Sequence, residues 1–173
     1  MQLETERLVL RPITQLDFDH WYAILSDAET MKHYPAPYDA LGVQRWIDWT
    51  LDNYAKYGFG LWAVILKETG EFIGDCGITM QNINGKTLPE IGYHFHKAHW
   101  RRGYASEAAR CCTAYAFNEL NFPAVYSYMT DSNIASYGVA LKNGMKLVEN
   151  YEDETGVKHR VYAITFQEWK EKV

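Results

Sequence analysis

The sequence predicts one α/β domain over residues 1–173, built as a mixed, mostly antiparallel sheet of about seven strands flanked by helices. Three observations lead there. Strand-like and helix-like apolar periods follow one another in the order β-α-α-β-β-β-α-β-α-β-β, which describes a single layered α/β unit. Consecutive strands in the middle are joined only by short turn sequences, Lys67–Glu71 and Asn82–Gly85, so they must pair as antiparallel hairpins. At 173 residues, 47% hydrophobic and 23% charged, the chain is long enough and apolar enough for one real core.

Each element has a local reason. Arg7 to Ile13 alternates as a first strand, closed by Pro12. Thr14, with Asp17 three residues on, forms a capping-box pair ahead of an apolar helical face of Phe18, Trp21, Tyr22 and Leu25. Asp27 to Tyr38 contains two prolines and reads as a loop or broken helix. Asp39 is the N-cap for a second helix whose face carries Val43, Trp46, Ile47, Leu51 and Tyr54, and Gly58 ends it. The unbroken apolar run Leu61–Leu66 fits a strand buried on both faces. Phe72–Met80 and the strand from Glu90 follow it. Small or apolar residues at 105, 108, 109, 112 and 116 make a helix of 105–120. Ala124–Met129 is a further strand. A helix from Asn133, capped by Asp131 or Ser132, stops at Gly144, and Met145–Tyr151 with Lys158–Thr165 forms the last hairpin.

Composition excludes several classes. The net charge is −5 and no basic run exceeds Arg101-Arg102, which argues against nucleic-acid binding and suits a cationic or amine ligand. Among the 3 cysteines, Cys111 and Cys112 are neighbours; no C-x-x-C pair exists, so neither a disulfide framework nor a zinc site is expected. No apolar stretch is long enough to span a membrane and the first residues do not resemble a secretion signal. A reduced cytoplasmic protein is expected. The aromatic fraction of 15% is high enough to line a pocket or a homodimer interface as well as a core.

The most informative stretch is Glu90–Ala109, EIGYHFHKAHWRRGYASEAA. A strand ends in a basic, glycine-bearing turn, Trp100–Tyr104, and a helix begins at once. Unpaired amides and the peptide dipoles make such a helix start an anion site, and a phosphate or pyrophosphate is the usual occupant. G-x-x-x-x-G-K-[ST] and G-x-G-x-x-G are both absent, so neither a P-loop nor a Rossmann site is indicated.

Three segments, ETERLVLRPIT, EIGYHFHKAHWRRGYASEA and DSNIASYGVALKNGMKLV, together resemble the GNAT acetyltransferase superfamily, in the branch of the ribosomal-protein N-terminal acetyltransferases. Their order and spacing match over nearly the whole chain. The family's phosphate loop reads Q/R-x-x-G-x-G/A; Gly103, Tyr104 and Ala105 fill its second half, whereas Trp100 stands at the Gln/Arg position. The resemblance implies acetyl-coenzyme A as co-substrate, with no metal. It implies that the amides of Arg102 to Ser106, beside Arg101, bind the pyrophosphate. The pantetheine would run along Tyr93, His94, Phe95 and His96 as an added strand. Asn133 and Lys142 would contact the cofactor from the other side.

Acetyl transfer to an alkyl ammonium, whose pKa is near ~10, needs a base. Glu90 is the first candidate, at the start of the strand expected to flank the thioester. His94 and His96, on the opposite strand face from Tyr93 and Phe95, are alternatives, and Asp75 is a third carboxylate able to bind or deprotonate the amine. A zinc role for the H-x-H pair lacks further ligands. Many members carry a tyrosine seven residues after the helix-opening Asn, proposed to protonate the thiolate. Ala140 stands there, so Tyr137, one turn earlier, and Ser136 are the acid candidates. Trp21, Met31, Tyr34, Tyr38 and Trp46 are acceptor-pocket candidates, and the Asp27–Tyr38 loop the foremost suspect. The sequence therefore predicts an N-acetyltransferase acting on a protein N-terminus or a small-molecule amine. The alternative is a non-catalytic acyl-coenzyme A sensor of the same fold.

Overall fold

The computed structural model describes residues 1–172. Eight strands form one sheet in the order β1-β2-β3-β4-β5-β6-β8-β7. The strands are β1 (Leu3–Glu4), β2 (Leu8–Pro12), β3 (Leu61–Leu66), β4 (Phe72–Ile83), β5 (Lys86–Phe95), β6 (Ala124–Thr130), β7 (Lys146–Glu152) and β8 (Lys158–Thr165). The helices are α1 (Phe18–Leu25), α2 (Ala40–Tyr57), α3 (Tyr104–Asn118), α4 (Ile134–Lys142) and α5 (Phe166–Lys170). The mixed α/β class holds. The extra strand is β1, a two-residue pairing of Leu3 and Glu4 with Leu10 and Val9, too short to leave an alternating pattern in the sequence.

Strand alternation distributes the core over both faces of the sheet. Leu8, Leu10, Trp62, Val64, Ile73, Cys76, Ile78 and Ile91 meet Ala108, Ala109, Cys112 and Ala116 of α3 on one face. Small residues on α3 let the helix lie close to the sheet, which is why its face reads as alanine and cysteine instead of leucine. Leu61, Ala63 and Phe72 turn to the other face, where Trp21, Ile24 and Leu25 of α1 and Val43 and Ile47 of α2 cover them. Tyr22, expected on the inner face of α1, is 41% exposed, and Ile24 takes the buried place. The capping box at Thr14 and Asp17 serves a 3₁₀ turn, Gln15–Asp17, that leads into α1.

Residues at even positions on β5 face α2, as the antiparallel pairs Asp75–His94, Gly77–Gly92 and Thr79–Glu90 show, and odd positions face α3. This parity decides which side chains can reach which substrate. Asp39 caps α2 by accepting the Gly42 amide at 2.7 Å, and α2 carries Trp46 and Trp49 toward that face. Asp39→Ala is expected to lower stability by about 1 kcal/mol, read from the urea unfolding midpoint; an unchanged midpoint would show that tertiary packing alone fixes the start of α2.

Candidate active site

The site begins with a strand pairing that stops. β5 and β6 run parallel and share a register pair only at Glu90–Tyr126. Ser127 Oγ donates to the Ile91 carbonyl at 3.3 Å, and no strand pairs with that edge of β5 further on. His96 gives its amide to Ile73 of β4. Because backbone groups alternate along a strand, Tyr93 and Phe95 turn theirs to the opposite, unpaired edge. Trp100 Nε1 donates to the Phe95 carbonyl at 2.7 Å, leaving the Tyr93 amide and carbonyl and the Phe95 amide for an extended ligand. Buried backbone groups require partners, so the edge is a ready template.

At the far end of that edge lies the start of α3. Gly103 is its N-cap, with φ 82°, and no side chain caps the first turn. A left-handed φ is disfavoured for residues with a Cβ, which explains glycine here. The loop is anchored from β2. The Arg7 guanidinium pairs with Glu107 at 2.6 Å, donates to the Arg102 carbonyl at 3.0 Å and lies 4.5 Å above the Tyr104 ring. Thr5 donates to Glu107 at 2.6 Å. Glu107, the one acidic side chain in the first turn, is thereby neutralised, and the amides of Tyr104, Ala105 and Ser106 keep a positive end for an anion.

The gap between β5 and β6 opens into a cavity of about 1040 Å³. Glu90, Gly92, Tyr93 and His94 line one wall, Ser127 to Asn133 another, and Tyr34, Tyr38, Trp46 and Trp49 a third. A Cβ on Gly92 would stand 2.9 Å from a Glu90 carboxylate oxygen, so the glycine makes room for that carboxylate. Burial is the largest influence on Glu90 and pushes its pKa up to about 7, against the opposing pull of a 3.1 Å hydrogen bond from Thr79 and the charge of His94; Asp75 adds to the rise. His94 Nδ1 lies 3.1 Å from Asp75, which is 0% exposed. Burial alone would lower the His94 pKa, but Asp75 and then Glu90 outweigh it and the net direction is upward. Tyr34 is 39% exposed, yet its hydroxyl reaches 2.7 Å from His94 Nε2.

The remaining predicted site residues divide clearly. Ser136 lines the cavity beside Asn133, and Tyr93 donates to its carbonyl at 2.8 Å. Asn133 itself, not Asp131 or Ser132, caps α4, accepting from the Ser136 amide at 3.2 Å. Phe95, Tyr104 and Ser106 are buried; Arg101 and Arg102 are exposed, and Ala105 is half-buried. Five further candidates lie outside the cavity lining. Tyr137 has its ring stacked on Tyr162 at 6.0 Å and under Arg160. His96 lies one residue beyond the end of β5, and its ring accepts the Ala98 amide in a following 3₁₀ turn. Met31 is 1% exposed among the α1–α2 core residues and does not touch the acceptor space; Trp21 is buried in that core too. Lys142 is exposed on the last turn of α4, at the opposite end from Asn133. Sequence reasoning missed the anchoring role of Arg7 and Glu107, the Thr79 and Ser127 contacts and the cavity position of Trp49. Only Arg7 and Glu107 left a signal, as parts of the ETERLVLRPIT and EIGYHFHKAHWRRGYASEA segments.

A sheet that parts between two parallel strands, beside an uncapped helix start, offers one ligand both an extended backbone edge and an anion site. The family described as "Acetyltransferase (GNAT) domain" matches residues 7–146. The chain belongs to that family, whose co-substrate is acetyl-coenzyme A. It is 40% identical over 145 residues to the uncharacterized protein YkkB of Bacillus subtilis (strain 168), covering 83% of this chain and 84% of that one. The acetyltransferase from Agrobacterium tumefaciens str. C58 superimposes with a TM-score of 0.82 and 31% identity, over 95% of this chain and 94% of that one. RimL, a ribosomal L7/L12 alpha-N-protein acetyltransferase in complex with coenzyme A, shares the fold with a TM-score of 0.79 at 13% identity, over 95% and 98% of the two chains. Among the described residues, no three His, Cys, Asp or Glu side chains are grouped to hold a metal ion, and no helix is long and apolar enough to cross a membrane.

Two outcomes test this geometry. Arg7→Ala frees Glu107 and the Arg102 carbonyl, and is expected to weaken acetyl-coenzyme A binding about five- to tenfold, ~1 kcal/mol, by titration calorimetry. Unchanged affinity would remove Arg7 from the loop's support. The second concerns pH. Glu90 and His94 both hold protons more tightly in the folded state: the Glu90 contribution is complete below the unfolded carboxyl value and is lost as pH rises through about 7, and that of His94 is complete below the unfolded imidazole value and is lost above it. The ligand-free protein should lose on the order of 2–3 kcal/mol through Glu90 between about pH 5 and 8. Glu90→Gln should remove most of that slope; urea midpoints with the same slope in both proteins would contradict it.

Proposed function

We propose that this chain transfers the acetyl group of acetyl-coenzyme A directly to a primary amine, with Glu90 as the base. The observation that carries the reading is the placement of Glu90. Its carboxylate stands in the cavity where β5 and β6 begin to part, with a pKa pushed up to about 7. A carboxylate near neutrality both accepts a proton and gives it up again at working pH. Bound in the gap, acetyl-coenzyme A would supply an activated thioester carbonyl. The α3 amides and Arg7-anchored loop would hold the phosphates, and the free groups of Tyr93 and Phe95 would fix the arm. His94 and Glu90, on the α2 face, would meet the amine from the other side. Neither Tyr137 nor Ala140 offers an acid, whereas the Ser136 hydroxyl, 3.1 Å from the Tyr93 hydroxyl, lies on the cavity wall and is the donor we assign to the leaving thiolate.

The shape of the acceptor side favours a small-molecule amine over a protein N-terminus. The Asp27–Tyr38 loop is tied down by Lys97 to Asp27 at 2.7 Å and meets Ser132 through His33 at 3.4 Å, so it bridges the two sides of the gap as a roof. Aromatic walls suit an amine carried on an apolar stem, and the carboxylates beneath suit its charge.

Acetyl-coenzyme A should raise the melting temperature where ATP and NAD do not, and thiol release with an amine panel should exceed release with N-terminal peptides. Glu90→Gln is expected to lower kcat by about 100-fold or more with little change in acetyl-coenzyme A affinity. Binding without thiol release on any amine or peptide would favour the sensor reading; wild-type kcat in the variant at every pH would reject Glu90.

A further inference from the structure

An alkylammonium carries three N–H bonds and its amide product carries one, so two protons must leave the acceptor nitrogen. Glu90 holds one at a time. The same cavity contains a second proton-handling group that the mechanism above leaves unused. His94 follows Glu90 by two residues on the same face of β5 and stands between a carboxylate and a phenol, with Nδ1 3.1 Å from Asp75 Oδ1 and Nε2 2.7 Å from the Tyr34 hydroxyl. Asp75 comes from β4, directly opposite in the register. It is 0% exposed, and its second carboxylate oxygen has no partner. With a carboxylate oxygen at Nδ1 and a phenol at Nε2, the tautomer that uses both contacts carries its hydrogen on Nδ1 and accepts from Tyr34 at Nε2. The edge-on ring of Trp46, 5.8 Å away, fixes the imidazole plane. Tyr34 lines the cavity, where its oxygen keeps a lone pair for an incoming N–H.

We propose that Tyr34, His94 and Asp75 form a relay that removes the first proton from the acceptor ammonium, leaving Glu90 to take the second. The proposal rests on the acetyl-transfer reading. In the step, an N–H bond of the acceptor breaks as a new O–H bond forms on Tyr34. The original Tyr34 O–H bond breaks as its proton bonds to His94 Nε2. The electron pair stays on nitrogen and becomes the nucleophile. Tyr34 begins and ends as a phenol, and the imidazole becomes an imidazolium beside the Asp75 carboxylate. After the C–N bond has formed, the second proton passes to Glu90, which releases it to water; the C–S bond breaks and the thiolate takes the Ser136 proton, which water replaces. His94 returns its proton to water by way of Tyr34 when the product leaves.

The surroundings agree with these roles. The titratable groups facing His94 are Asp75 from β4, Glu90 from its own strand and Tyr34 from the loop; Tyr38 and Tyr128 face Tyr34. Asp75 and Glu90 raise the His94 pKa despite burial, so the ring can hold the proton it receives. Burial, with Glu90 and Asp75 nearby, raises the Tyr34 pKa, which keeps the phenol a conduit and not a store.

The test uses Tyr34→Phe, which keeps the ring and removes the conduit. Two acceptors of one carbon skeleton are compared, a primary alkylamine and the corresponding acyl hydrazide, which is already unprotonated at neutral pH. The relay predicts that kcat/KM falls ~10–100-fold on the amine and less than ~3-fold on the hydrazide. Equal losses on both would overturn it and leave Tyr34 a packing role. A wild-type protein that is stabilised by acetyl-coenzyme A yet acetylates neither acceptor would overturn the acetyl-transfer reading itself. Independently of turnover, ¹⁵N NMR of the neutral His94 ring should find the hydrogen on Nδ1; a hydrogen on Nε2 would exclude the relay.

Discussion

The constraint behind the whole site is the parting of β5 from β6 after a single register pair. A parallel pair that stayed zipped would spend the backbone groups of Tyr93 and Phe95 on β6 and close the cavity. Here Ser127 fastens the last joint through Ile91, and beyond it the edge is open. Everything else in the fold tolerates that opening. β4 holds β5 in register along its other edge, α3 supports it from beneath, and α2 with the Asp27–Tyr38 loop closes the top.

In the proposed reading one strand serves two ligands. Its odd positions face α3 and its edge offers backbone groups to an extended arm, while its even positions face α2 and offer Glu90 and His94 to an amine. The pairing works because backbone groups point along the sheet while side chains point out of it, so the edge and the even-numbered side chains open into one cavity from different directions. The same burial that removes water from the cavity lifts the Glu90 carboxyl toward neutrality, and a carboxylate behind His94 keeps the imidazole from following the usual downward shift.

The fold and the glycine-opened start of α3 were legible because they depend on local signals. Gly103 before a run of small residues at helical spacing can be read without knowing any partner, and so can the Asp39 cap and the hairpins around Lys67–Glu71 and Glu152–Gly156. The catalytic side was less legible because it depends on register and on long-range packing. Nothing near Asp75 in sequence says that it lies opposite His94; that follows only from how β4 and β5 slide into pairing. Tyr137 lies outside the cavity lining because helical spacing gives a face but not what the face meets, and here it meets Tyr162 and Arg160. His96 lies one residue past the end of β5, where the following turn takes up its ring. Met31 and Tyr34 share a loop, yet only three residues separate a core plug from a cavity wall.

The most direct test of the open edge is amide hydrogen exchange at single residues of β5. The Ile91 amide, at the joint with β6, should be protected in both states. The Tyr93 and Phe95 amides should exchange fast in the free protein and become protected when acetyl-coenzyme A is added. Slow exchange at Tyr93 without ligand, or no gain in protection with it, would contradict the claim that β5 is a template for the cofactor arm.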